Sequence, residues 1–164
     1  MKKILSLLSL IALIFVLGAC GDDEATNVDV QKEETPKKEV KTEKKINVNI
    51  DVNEEITGGK ATFTGTTNLP DDSELMITLS NENGYKGQTK VVVENGVFES
   101  ETFSNKGVAL DSGTYQVKVT MSIANTQPES IQEVIGEDSK NLEGELVEDG
   151  ELGRTVTYSE DFEI

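Results

Sequence analysis

The region from Ile46 to Ile164 predicts an all-β fold, a Greek-key β-sandwich of about seven short strands with one short helix. Three observations carry that prediction. Apolar residues recur at every second position, which is the period of a half-buried strand. The alternating runs are separated by turn-forming clusters such as Leu69-Pro70-Asp71-Asp72-Ser73, Asn83-Gly84 and Asn95-Gly96. Helical periodicity is almost absent.

In the first run Ile46, Val48, Ile50 and Val52 alternate with Asn47, Asn49, Asp51 and Asn53, which reads as one strand. Lys60 to Thr66 follows, with Ala61 and Phe63 on one side. After the Pro70 turn, Leu75, Ile77 and Leu79 face one way while Met76 and Thr78 face the other. Gln88 to Glu94 is rich in β-branched residues, Val91, Val92 and Val93. Asn95-Gly96 then joins it to Val97–Phe103 as a two-residue hairpin, since Asn-Gly tolerates the positive φ angles of such a turn. The cleanest alternation is Thr114 to Ala124, where Tyr115, Val117, Val119, Met121 and Ile123 oppose Gln116, Lys118, Thr120 and Ser122. That strand is expected at the centre of its sheet. Arg154 to Ile164 closes the set, with Val156, Tyr158, Phe162 and Ile164 on one face.

The helix is expected between these last two strands. Thr126-Gln127-Pro128-Glu129 has the spacing of a capping box, Ile131, Val134 and Ile135 share a helical face, and Gly136 ends the turn. From Glu137 to Gly153 the chain is acidic and rich in glycine, and Asp149-Gly150 reads as the turn of a weak hairpin.

The N-terminal residues follow a different pattern. Lys2 and Lys3 precede an apolar run, Ile4 to Val16, that ends in Leu17-Gly18-Ala19-Cys20 and then at once in Gly21-Asp22-Asp23-Glu24. Ile4 to Ala19 is about 16 residues, short of the roughly 20 that a spanning helix needs, and the basic end and small residues before Cys20 suit a cleaved signal peptide. Leu17, Gly18, Ala19 and Cys20 resemble the lipobox of bacterial lipoproteins of the Gram-positive type. That resemblance implies a diacylglyceryl group on the Cys20 thiol and cleavage just before it. Two acyl chains make a durable anchor where one does not. Expected domains are therefore a signal peptide over 1–19, a lipidated cysteine and charged linker over 20–45, and the sandwich over 46–164. Gly21 to Lys45 contains no aromatic residue and interleaves acidic with basic side chains. It is expected to be a disordered tether with a span of roughly 25–30 Å.

Asp111-Ser112-Gly113-Thr114-Tyr115-Gln116-Val117 resembles the tyrosine-corner segment of immunoglobulin-like domains. The resemblance implies an Ig-like sandwich in which the tyrosine hydroxyl holds the preceding loop, with Val117 where antibody domains carry a cysteine. The stretch from Asn68-Leu69-Pro70 to Pro128-Glu129-Ser130 is similar to uncharacterised extracytoplasmic domains of Gram-positive bacteria, which bring no activity with them.

Composition narrows the function. Cys20 is the one cysteine and histidine is absent, so no internal disulfide, Cys-His pair or imidazole ligand is available. Residues 46–164 carry 23 Asp and Glu against 7 Lys and Arg, a net charge of about −16. Nucleic acid and anionic lipid are poor partners for such a domain. The carboxylates cluster at Asp71, Asp72 and Glu74, at Glu137 and Asp138, and at Glu148, Asp149 and Glu151. These are weak candidates for calcium, because the spacing of a defined calcium loop is missing. There is no S-x-x-K motif and no Trp to form a sugar platform, so the chain is not expected to be an enzyme. Tyr85, in the turn Asn83-Gly84-Tyr85-Lys86-Gly87, is expected to be exposed and is the aromatic most suited to contact a partner. The expectation is a monomeric lipoprotein on the extracytoplasmic face of the cell membrane, with no cofactor beyond the lipid on Cys20, binding an unidentified protein or envelope component. A solute- or calcium-binding lipoprotein is the alternative, and a small hydrolase is the remaining one.

Overall fold

The computed structural model describes residues 44–164, all within the compact unit Lys41–Ile164. The expected signal peptide over 1–19, Cys20, and the expected linker as far as residue 43 lie outside the described residues. Among the described residues no helix is long and apolar enough to cross a membrane.

Two antiparallel sheets face each other across one core. The smaller contains β2 (Ile50–Thr57), β3 (Lys60–Thr67) and β6 (Val97–Glu99) in the order β2-β3-β6. In the larger, β4 (Glu74–Ser80), β5 (Lys86–Val92), β7 (Thr114–Met121), β9 (Val147–Glu148) and β10 (Thr155–Glu163) run β5-β4-β7-β10-β9. A parallel pair, β1 (Ile46–Asn47) and β8 (Leu142–Glu143), sits beside them. In immunoglobulin lettering β2, β3 and β6 are A, B and E, and β5, β4, β7 and β10 are C′, C, F and G. The fold is thus an Ig-like Greek-key sandwich. β7 lies in the middle of the larger sheet, and its burial alternates along its whole length.

The core is a layer of inward residues from both sheets, among them Phe63, Leu75, Ile77, Leu79, Val119 and Val156, each at most 1 % exposed. Aromatic rings link the sheets at one end. Phe63 on β3 meets Phe103 edge-on at 5.7 Å and Phe162 on β10 at 5.3 Å. Phe162 lies 6.2 Å from Tyr115, and Tyr115 lies 5.7 Å from Tyr85. Such pairs add about 0.5–1.5 kcal/mol each beyond the area they bury.

Several local expectations are corrected. The run from Ile46 to Asn53 is two strands, because β1 pairs with β8 while β2 pairs with β3. The inward face is continuous across the break, with Val48 and Ile50 both buried, and the change of partner occurs where Asn68 Oδ1 accepts the Asn49 N–H at 2.8 Å. Asn95-Gly96 does make a two-residue turn, with φ of 52° and 73°. It does not make a β5–β6 hairpin: beyond the single Glu94–Val97 bridge the chain changes sheets, and Val97 to Glu99 pair with β3.

The capping box does not form. Thr126 Oγ1 donates to the Ile123 carbonyl in a preceding 3-10 turn, and helix α1 (Glu129–Ile135) begins after Pro128 with no side-chain cap. Ile131 and Ile135 are buried as expected, whereas Val134 is 46 % exposed. Gln127 has another task. Its amide accepts from the Glu74 N–H and donates to the Glu74 carbonyl, both at 2.9 Å, standing in for a strand partner at the start of β4. Finally, β7 stops at Met121, so Ile123 lies beyond the strand and is half-buried. A hairpin does form between β9 and β10, but it turns at Glu151-Leu152, where the Gly153 N–H donates to the Gly150 carbonyl, rather than at Asp149-Gly150, and Arg154 Nε pairs with Asp149 across the loop at 2.8 Å.

Candidate functional site

The sandwich has two unlike ends. The chain enters at Lys44–Ile46, where the Ile46 N–H donates to the Asn141 carbonyl beside α1. β2 then runs eight residues, about 26 Å, to the Gly58-Gly59 turn at the far end. Both glycines have positive φ, 59° and 71°, which the two-residue turn requires. Gly59 accepts a bond from the Leu110 N–H at 2.7 Å and so ties the turn to the 104–113 loop.

That loop is held by the tyrosine corner. The Tyr115 hydroxyl donates to the Asp111 carbonyl at 3.0 Å, four residues upstream, and the Tyr115 side chain is 1 % exposed. Gly113 and Ile164 exchange backbone bonds of 3.0 and 3.1 Å, clamping the same loop to the residue after β10.

Tyr85 approaches from the β4–β5 turn. It is half-buried rather than free in solvent: its hydroxyl donates to the Ser104 carbonyl at 3.3 Å and its ring packs on Tyr115. Burial pushes the Tyr85 hydroxyl pKa above its ordinary value, and Tyr115 adds to the shift. Asn81 fixes the turn by accepting the Tyr85 N–H on its side-chain oxygen at 2.9 Å. Between this turn and the 104–111 loop lies a groove of about 450 Å³, with Asn83, Tyr85, Lys106 and Asp111 on its walls. Lys106-Gly107 forms the tip of the loop as a tight turn, and Val108 beside it is 64 % exposed. Val108 is an exposed apolar residue that the sequence reading did not single out. Its single valine in a polar loop carries no periodic signal.

The acidic candidates are spread over the fold. Asp71 Oδ1 accepts the Gly96 N–H at 2.9 Å, Asp72 holds a positive-φ turn, and Glu74 pairs with Lys90 Nζ at 2.5 Å. Asp149 pairs with Arg154, Glu148 lies on β9, and Glu151 is exposed in the turn that follows. Glu137 and Asp138 sit in a short 3-10 turn (Glu137–Ser139) after α1. Among the described residues no group of three Asp, Glu, Cys or His is placed so that it could hold a metal ion.

One carboxylate group does perturb a neighbour. The Tyr158 hydroxyl donates to Glu160 at 2.5 Å. Desolvation, the Glu160 contact, and the charges of Asp51 and Glu54 push its pKa up to about 12. An unfolded tyrosine ionises near 10. The neutral Tyr158 therefore contributes stability that is intact below pH 10 and is lost as the pH climbs to about 12. The melting temperature is expected to fall across that window, and to fall less in Tyr158→Phe. Equal slopes in the two proteins would remove Tyr158 as the cause.

The chain matches no protein-family model, curated protein or solved structure. Fold and site together define a class: an acidic Ig-like β-sandwich whose anchored corner and loop groove lie at the end remote from where its chain enters.

Proposed function

We propose that this chain is a lipoprotein anchored through a diacylglyceryl group on Cys20 to the outer face of the cell membrane. Its sandwich binds another protein or an envelope component and performs no catalysis. The supporting observation is the separation of the two ends: Lys44 enters at one, and the Tyr85–Val108 loops lie at the other, beyond the length of β2, about 26 Å. A tether at the first end holds the loops outward, where a rigid corner and an exposed Val108 suit recognition. The Tyr85 ring, bonded to Ser104, then serves as a wall of the groove rather than as a free contact.

Two measurements test this. In cells fed a palmitate analogue the chain is expected to take up label and sediment with membranes, and Cys20→Ser is expected to lose both; label retained by Cys20→Ser would overturn the anchor. A photo-crosslinking residue at Lys106 is expected to give discrete adducts that one at Glu133, beside the entering chain, does not. Identical adduct patterns at the two positions would overturn the loop site.

A further inference from the structure

The charge of −16 carried by residues 46–164 is unevenly placed. On the outward face of the larger sheet, registered residues form rows across β5, β4, β7 and β10. One row reads Lys86, Ser80, Gln116, Asp161, and the next reads Gln88, Thr78, Lys118, Ser159. The outer strand β5 presents Lys86 and Lys90 and no acid, while β10, flanked on the opposite side only by the two-residue β9, presents Asp161 and Glu163 and no base. With Lys118, Glu74 and Glu148 added, the strands of the face hold three lysines against four carboxylates, and Glu82 at its edge makes five, a net −2 out of the −16 of residues 46–164. Glu74 is already paired with Lys90.

From this arrangement we infer that the face docks a second copy of the same chain. A twofold axis lying between β4 and β7, parallel to the strands, lays β5 of one copy over β10 of the other. Rows keep their level under that rotation. Lys86 therefore meets Asp161 of the second copy, with Glu163 one step along the strand, and the symmetric pair forms at the other edge. Lys118 meets Thr78, and Lys90 meets Thr157, so the rotation opposes no like charges. A groove of about 630 Å³ bordered by Ser80, Glu82, Gln116 and Asp161 is the seat that the Lys86 side chain fills. Four strands of this length cover on the order of 500 Å², below the roughly 800 Å² per partner of a standard interface. The association is accordingly weak and depends on concentration, and it leaves the Val108 loop uncovered.

Sedimentation equilibrium of the full chain in nonionic detergent tests the inference. A monomer–dimer equilibrium is expected, with Lys86→Glu and Asp161→Lys each raising the dissociation constant by roughly tenfold or more. The double variant K86E/D161K is expected to recover most of the loss, because the pairs re-form with reversed sign; neither residue is buried, so both single variants keep the fold. A short bismaleimide is expected to link Lys118→Cys to its own copy well above the level given by Thr64→Cys on the other sheet, with the unsubstituted chain, which has Cys20 alone, as background. A monomer at millimolar concentration, a double variant as weak as the singles, or equal linking at the two positions would overturn it.

Discussion

Phe63→Ala is expected to remove about 3–5 kcal/mol of folding stability, a large part of the roughly 5–15 kcal/mol a domain of this kind holds. Phe63 is fully buried, and its ring is the one in edge contact with both Phe103 and Phe162. Deleting it opens a cavity between the sheets, and Phe162 can turn into it only by leaving Tyr115. Denaturant unfolding of the variant measures the loss, and a change below about 1 kcal/mol would show that the aromatic cluster does not couple the sheets. With no disulfide to restrain the unfolded chain, the core alone must make up any deficit.

The second large effect is expected at Gly65. It is registered opposite Phe98 on β6, and the Phe98 ring lies over its backbone so closely that an added Cβ would come 2.1 Å from the ring edge. Gly65→Ala therefore forces Phe98 or β6 to move, at a cost of about 1–3 kcal/mol or more. Phe98→Ala removes the obstacle. In that background Gly65→Ala should cost almost nothing, a coupling that a double-mutant cycle reads directly. Additive losses would place the strain elsewhere than in the ring contact.

Much of the sandwich was legible because half-buried strands write their faces in alternation. Leu75, Ile77 and Leu79 are inward, as are Tyr115, Val117, Val119 and Met121, and the central place of β7 follows from how completely it alternates. The corner was legible for a different reason. Asp111 to Val117 is a local device, and a tyrosine four residues after the carbonyl it holds needs no distant partner. Where expectation failed, the deciding contact came from far along the chain. Thr126 and Glu129 have the spacing of a cap, yet Gln127 is drawn to Glu74, 53 residues away, and the helix starts after Pro128 instead. Asn95-Gly96 specifies a tight turn, but whether the next strand returns to β5 or joins β3 is a choice between sheets.

The candidate site divides in the same way. The solvent exposure expected of Tyr85 from its place in a turn is reversed by Ser104 and Tyr115, neither of which is near it in sequence. The acidic clusters read as neighbours along the chain, but the fold gives their members separate partners: Asp71 takes the Gly96 N–H, Glu74 takes Lys90 and Asp149 takes Arg154.

The sequence by itself determined the strand faces, the turns, the tyrosine corner and the absence of thiol and imidazole chemistry from residues 46–164, since each depends on residues within a few positions of one another. The tertiary structure alone decided which sheet each strand joined, which loops met at the far end, and how the charges of β5 and β10 came to flank one face. Those outcomes rest on pairings between residues tens of positions apart. Local propensity cannot rank such pairings, and only closure of the common core selects among them.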